Sequence, residues 1–330
     1  MKRLLTIASL LVATWMAAQD PQFTQFYAAP TYLNPAFAGT TTQSRISGNY
    51  RLQWPGIPGA FRVENIAFDR YLPSINSGMG FLMTREKMGT GGLQNLTFGY
   101  QYAYEARITR ELFFRPALQF GFTQRSINFG DLIFNDQLIR PDGVATLENP
   151  ILDPVTFFDL SGGAILNTST WWLGFSAHHL NEPDEGLYGN NPAFLFRKYS
   201  LHGGYRMKLR KKFKHSRTYA VAAFNYRAQG DFDQLDAGAY LELDPFVFGI
   251  WYRSLPIKSN REGYFNHDAV NMVVGFHAGN YKFGYSYDIT VSPLNVGQSA
   301  GSHELSLSYA WANKRDPRLS KRRIIPCAKF

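Results

Sequence analysis

YKFGYSYDIT, residues 281–290, and HELSLSYAWA, residues 303–312, are the stretches whose reading decides the fold. In the first, Tyr281, Phe283, Tyr285, Tyr287 and Ile289 occupy every second position, with Lys282, Gly284, Ser286, Asp288 and Thr290 between them. Successive side chains of a strand point to opposite faces, so one face is aromatic and the other small or polar. The second stretch repeats the pattern, with Leu305, Leu307, Tyr309 and Trp311 set against Glu304, Ser306, Ser308 and Ala310. A soluble sandwich also alternates, but its core face is mostly aliphatic and its outer face rich in Lys and Glu. Large aromatics opposed to small polar residues suit a wall with lipid outside and water inside.

Working outward, the alternation recurs over residues 44–53, 63–71, 78–85, 93–108, 112–125, 156–167, 171–180, 199–208, 217–228, 234–243, 246–253 and 269–278, which makes fourteen strand candidates with the two above. Links 109–111, 168–170, 244–245 and 279–280 are very short, whereas 126–155, 181–198, 254–268 and 291–302 are long. Short turns at one end and long loops at the other are the asymmetry of an outer-membrane barrel, the short end being periplasmic. Links 209–216 and 229–233 depart from it. An open sheet in lipid would leave edge amides and carbonyls unpaired at several kcal/mol each, so residues 44–53 must close against 303–312. The expected fold is all-β, a transmembrane antiparallel up-and-down β-barrel of about fourteen strands, with both termini in the periplasm.

Composition agrees with this reading: aromatics make up 16% of the 330 residues. Lys2 and Arg3 precede an apolar run and a small-residue stretch ending at Ala18, the three parts of a secretory signal with cleavage before Gln19. The formal charge of +9 is uneven. Residues 313–330 hold seven basic residues against Asp316, and Lys2 and Arg3 leave with the signal, so the remaining body is close to +1. The lone Cys327 has no partner for a disulfide and cannot build a thiolate metal site alone. The expected organisation is a signal peptide (1–18), an N-terminal periplasmic or lumen-plugging segment (19–43), the barrel (44–312) and a basic periplasmic tail (313–330).

Residues 19–42 contain Pro21, Pro30 and Pro35 and no sustained alternation, so they read as irregular backbone. A fourteen-stranded ring leaves interior space, and this segment has the aromatic content to fold into the periplasmic mouth. Phe23, Phe26, Tyr27, Asn34, Pro35 and Phe37 are the candidate plug residues. The other reading is a disordered leader. On the inward parity lie Glu105, Arg107, Arg115, Arg125, Arg206, Arg227, Asp236, Glu242, Lys282 and Asp288. Their mixed signs suit mutual pairing that braces the wall or holds an insert, and an ion-selective lining is the alternative.

Four runs, DPQFTQFYAAPTYLNPAFAG (20–39), YRLQW (50–54), FGYSYD (283–288) and GSHELSLSY (301–309), together resemble the PorP/SprF family of Bacteroidota. These are outer-membrane proteins tied to type IX secretion and gliding motility. The resemblance implies a β-barrel that assists secretion or surface attachment of secreted adhesins and effectors and touches periplasmic secretion or gliding components. It brings no catalytic or ligand residue.

Enzymatic chemistry finds little support. His178 and His179 are adjacent, so on a strand they point to opposite faces and cannot share a metal. His303 beside Glu304 reads as a polar rim residue. There is no Walker loop, dinucleotide fingerprint or paired-Cys motif. No enzyme activity, cofactor, metal or nucleic-acid partner is expected; the partners are outer-membrane lipid and secretion proteins. Candidate periplasmic contacts are Lys314, Arg315, Arg318, Lys321, Arg322 and Arg323, with Lys211 and Lys212 at the one long periplasmic turn. The alternative function is a general diffusion porin or small-solute transporter.

Overall fold

The computed structural model describes residues 20–41, 43–128, 130, 132, 134–140, 146, 153–187, 192–209, 218–255, 266–291, 296–312 and 325. In chain order the strands are β1 (Gln43–Gln53), β2 (Phe61–Leu72), β3 (Ser77–Met88), β4 (Leu93–Tyr104), β5 (Ala106–Arg107), β6 (Phe113–Ser126), β7 (Val155–Asn167) and β8 (Trp171–His178). They continue with β9 (Lys198–Lys208), β10 (Thr218–Gln229), β11 (Phe232–Leu243), β12 (Phe246–Leu255), β13 (Asn266–Ala278), β14 (Tyr281–Thr290) and β15 (Ser302–Ala312).

Successive strands pair antiparallel, except that β4 and β5 do not pair with each other, and the ring closes where β1 meets β15 from Gln43↔Ala312 to Gln53↔Ser302. Closure satisfies the backbone groups that an edge would expose to lipid. The fifteen segments are fourteen staves of the barrel. Residues 93–108, expected as one strand, are interrupted at Glu105, whose amide donates to the Asn76 carbonyl at 2.8 Å. β4 and β5 then pair in succession with the same strand, β6. Among the described residues no helix is long and apolar enough to cross a membrane.

Alternation sorts the side chains. On β6, Phe114, Leu118, Phe120 and Phe122 are exposed outward, while Phe113, Arg115, Ala117 and Gln119 are buried inward. The same holds round the ring, where Phe81, Phe98, Tyr205, Ile250, Met272 and Phe283 stand on the outer surface. So much contiguous exposed aromatic and aliphatic surface is tolerable only against lipid.

Strand direction defines two mouths. β1 begins and β15 ends at the mouth of short turns, which includes residues 73–76, 244–245 and 279–280. The ends of β6, β8 and β12 and the starts of β7, β9 and β13 form the opposite, long-loop mouth.

Candidate functional site

The chemistry of this molecule is concentrated inside the ring, on residues 20–41. Proline at 21, 30 and 35 keeps this stretch out of the sheet, and its only regular pieces are one short helix, Pro30–Leu33, and one 3-10 turn, Pro35–Phe37. Its backbone groups therefore need partners elsewhere, and the inward side chains of the strands supply them.

Near the long-loop mouth, Glu304 of β15 accepts two successive amides of the segment, from Thr24 at 2.7 Å and Gln25 at 3.0 Å. The Thr24 hydroxyl donates to Asp288 at 2.6 Å and accepts from Arg51 at 2.5 Å and Arg253 at 2.8 Å. Arg51 bridges Asp288 at 2.8 Å and Glu304 at 3.3 Å. Arg253 links Asp288 at 3.1 Å to Asp236 at 2.7 Å, and Asp236 also pairs with Arg227. Three arginines and three carboxylates from β1, β10, β11, β12, β14 and β15 thus form one network, four of whose members, Arg51, Arg253, Asp288 and Glu304, touch a single threonine. Their charges balance, and all but Arg227 are 7% exposed or less, so each ion depends on its partners for solvation.

Halfway through, Phe26 and Tyr27 pack against Trp251 with ring centroids 5.0 and 5.9 Å apart. Asn34 caps the 3-10 turn by accepting the Ala36 amide at 2.9 Å, while its Nδ2 donates to the carbonyls of Phe175 at 3.0 Å and Ala164 at 3.3 Å. Gln101 donates to the Thr31 carbonyl at 2.7 Å and Ser176 to that of Leu33 at 2.9 Å. At the short-turn mouth Arg115 donates to the carbonyls of Ala36 at 3.1 Å and Ala38 at 2.7 Å and pairs with Glu105 at 2.5 Å. Asp69, itself paired with Arg45, accepts the Gly39 amide at 2.9 Å.

Of the inward charges read from sequence, Glu105 with Arg115, Arg125 with Glu185, Arg206 with Glu242, Arg227 with Asp236, and Asp288 with Arg51 and Arg253 are paired. Arg107 instead is exposed and donates to the Thr109 carbonyl at 3.0 Å. Arg51, Arg253, Glu304, Thr24 and Gln25 carry the most densely bonded layer and were not singled out from sequence. Arg51 was within reach, since it shares its parity with Ser47 and Asn49, whereas its partners lie 237 and 253 residues away.

Two readings change. The segment, expected at the short-turn mouth, runs the length of the interior. Asp20 lies at the far end, 2.5 Å from Lys198 and 2.8 Å from His179, and its amide donates to Gln229 at 3.0 Å. His178 and His179, expected on opposite faces, both turn inward. β8 ends at His178, and His179 adopts φ +57°, which breaks the alternation. His178 lies 3.2 Å from the Leu33 carbonyl, and His179 lies 3.1 Å from Asp159 as well as touching Asp20. Burial raises the Asp20 carboxyl, but Lys198 and His179 outweigh it and hold Asp20 well below the usual carboxylate range. Burial also opposes charge on His179, yet Asp20 and Asp159 push it up to about 10.

Phe23, Phe26, Tyr27, Asn34, Pro35 and Phe37 are all buried. The expected signal segment (1–18), Cys327 and the cations Lys211, Lys212, Lys314, Arg315, Arg318, Lys321, Arg322 and Arg323 lie outside the described residues. Ile325, the described residue of the tail, is buried in the same apolar cluster as Phe26, Val221, Val247 and Val273. Among the described residues no group of three or more His, Cys, Asp or Glu could hold a metal ion.

The fold and its contents define a membrane β-barrel whose interior is threaded by its own N-terminal segment. The chain belongs to the PorP/SprF family: the family model described as type IX secretion system membrane protein PorP/SprF matches residues 15–309. Among solved structures it is similar to two mutants of Rh. blastica porin, each 8% identical, and to a Rhodopseudomonas blastica porin triple mutant, 7% identical. Each match covers 81% of this chain and 99% of the porin at a TM-score of 0.34. A likeness that loose carries no argument, and the barrel rests on its own strand pairing. No curated protein matches.

Proposed function

We propose that this protein is a non-enzymatic outer-membrane unit of the type IX secretion machinery, working through protein contacts and closed to solutes by residues 20–41. In this reading the signal peptide is removed and the long-loop mouth faces the cell exterior. There, residues 126–155 and 181–198 meet a secreted adhesin or effector, because long loops on a rigid wall are where recognition usually sits. The basic tail, with Lys211 and Lys212, faces periplasmic secretion or gliding components.

One observation carries the closed lumen: the segment is bonded to opposite walls at three levels, from Glu304 and Asp288 through Phe175 to Arg115. Two cavities beside it at the long-loop mouth, lined by both apolar and charged side chains, are about 50 and 80 Å³, enough for a few waters. A porin needs an open aqueous path. In planar bilayers the intact protein is expected to show little conductance, and deletion of residues 19–29 to produce stable open steps. Steady conductance from the intact protein would instead establish the porin reading.

A further inference from the structure

One sector of the outer wall carries cations where its neighbours carry rings and aliphatic chains. At the long-loop mouth the strand ends turn Leu52, Leu96, Tyr199, Tyr226, Tyr252 and Tyr287 outward, and tyrosines at this height mark the membrane interface. On β2 and β3 the same height is occupied by Arg62, Arg85 and Lys87, with Glu64 among them. Register places Arg62 opposite Lys87, Lys87 opposite Gln94, and Glu64 opposite Arg85. Directly opposed residues share a face with Cβ atoms about 4.5–5.5 Å apart, so these form one patch with a formal excess of two positive charges. Arg62 and Arg85 are exposed, and Arg85 donates to Gln94 at 3.0 Å.

Directly beneath, the surface becomes apolar. The next outward rows are Ile66, Met83, Phe98 and Phe122, then Phe68, Phe81, Tyr100 and Phe120, aligned by the same register. A shallow trough of about 450 Å³ lies over them. A second, of about 400 Å³, opens at Gly48, where the missing side chain leaves a gap bordered by Ile66, Phe283, Leu305 and Leu307. Two outward rows are separated by roughly 7 Å of strand, about the distance from a lipid phosphate to the start of its acyl chains.

We propose that this sector of β1 to β4 is a binding site for an anionic, phosphate-bearing lipid of the leaflet at the long-loop mouth. Arg62, Arg85 and Lys87 hold the phosphate, with arginine supplying paired N–H donors to its oxygens. The two troughs on either side of Ile66 receive acyl chains. Charge complementarity selects this occupant over a second copy of the chain, because a symmetric contact across this patch would bring like charges together.

The test uses the full-length barrel in a neutral detergent, with native mass spectrometry of retained lipid. Phosphatidic acid and phosphatidylcholine of identical chains are compared, and inorganic phosphate is added as a competitor. Retention of phosphatidic acid is expected to exceed that of phosphatidylcholine by about tenfold. The triple variant Arg62→Gln, Arg85→Gln, Lys87→Gln should abolish that preference, and Gly48→Leu, which fills the second trough, should lower retention without touching a charge. Arg70→Gln, an exposed cation at the short-turn end of β2, serves as the control. Lys87→Glu alone, with heat-modifiability on gels as the fold check, covers the case in which the triple variant fails to assemble. Equal retention of the two lipids overturns the proposal. So does an equal loss in Arg70→Gln, which reduces the effect to net charge, or displacement of the lipid by equimolar inorganic phosphate, which removes the role of the chains.

Discussion

Thr24 shows how much one small side chain organises here. Its hydroxyl and amide touch Asp288, Arg51, Arg253 and Glu304, so a residue with three heavy side-chain atoms ties together four strands, β12, β14, β15 and β1, along one arc of the ring. Four residues earlier in the segment, Asp20 and His179 form a contact whose strength depends on pH, and the signs differ. Asp20 is held below its usual range, so its contribution is present above about pH 3.9 and lost as pH falls through the lowered value. His179 is raised to about 10, so its contribution is complete below about pH 6.5 and is lost as pH rises through about 10. The clamp is therefore strongest between about pH 4 and 6.5. A fluorophore on Gln22→Cys, in a Cys327→Ser background, should become more accessible to iodide as pH rises from 6.5 to 10, the opening constant growing by up to tenfold per unit. His179→Gln should flatten that rise; a flat profile in the parent protein would reject the clamp.

At the scale of elements, the wall is cut to receive the inner segment. An ideal Cβ on Gly78 of β3 would stand 1.9 Å from the Ala38 carbonyl oxygen, one on Gly163 of β7 2.1 Å from Asn34 Oδ1, and one on Gly284 of β14 2.4 Å from Gln25 Oε1. Gly39 meets the same contact from the other side and holds φ +64°, a conformation that costs other residues about 1–2 kcal/mol. Gly78→Ala is expected to force backbone apart and to destabilise the seat at the short-turn mouth by about 1–3 kcal/mol. The signature is faster proteolysis within residues 36–41 in a barrel that remains heat-modifiable. Gly48→Ala is the control, because its nearest neighbour, the Asn65 carbonyl oxygen, is 4.0 Å away. Equal proteolysis of both variants would show that the close approach is not what seats the segment. The fourteen staves were legible from alternation, including the closing pair. The break at Glu105 was not, because it depends on bonds to Arg115 of β6 and Tyr71 of β2, which meet it only in the folded ring.

At the scale of the whole molecule, the question is where the positive charge acts. The body is close to neutral, and its inward ions are largely used in pairs, so the +6 of residues 313–330 is the main unbalanced charge. An acidic periplasmic partner would feel it over about 8 Å at physiological salt. Ile325 is buried with Val221 and Val247, which places one point of the tail against the inner wall. Charge reversal at Lys321, Arg322 and Arg323 is expected to weaken co-purification with periplasmic secretion or gliding components while assembly and heat-modifiability persist. The same partners recovered at the same salt would exclude the tail as the docking element.

Strand number, the facing of side chains within the regular strands and the need for closure were determined by the sequence alone, because a period of two and the absence of water in lipid leave one consistent arrangement. Inward charges such as Arg115 and Asp288 were legible for the same reason. Their partners were not. Thr24 meets Glu304 across 280 residues, and the inner segment takes its course only because a closed ring brings opposite walls within reach of one chain. His179 turned against its parity when β8 ended and a left-handed backbone angle set its ring beside Asp20 and Asp159. Local alternation specifies a face, but which buried ions meet is decided by tertiary structure, since charges removed from water are stable only where the fold assembles all their partners at once.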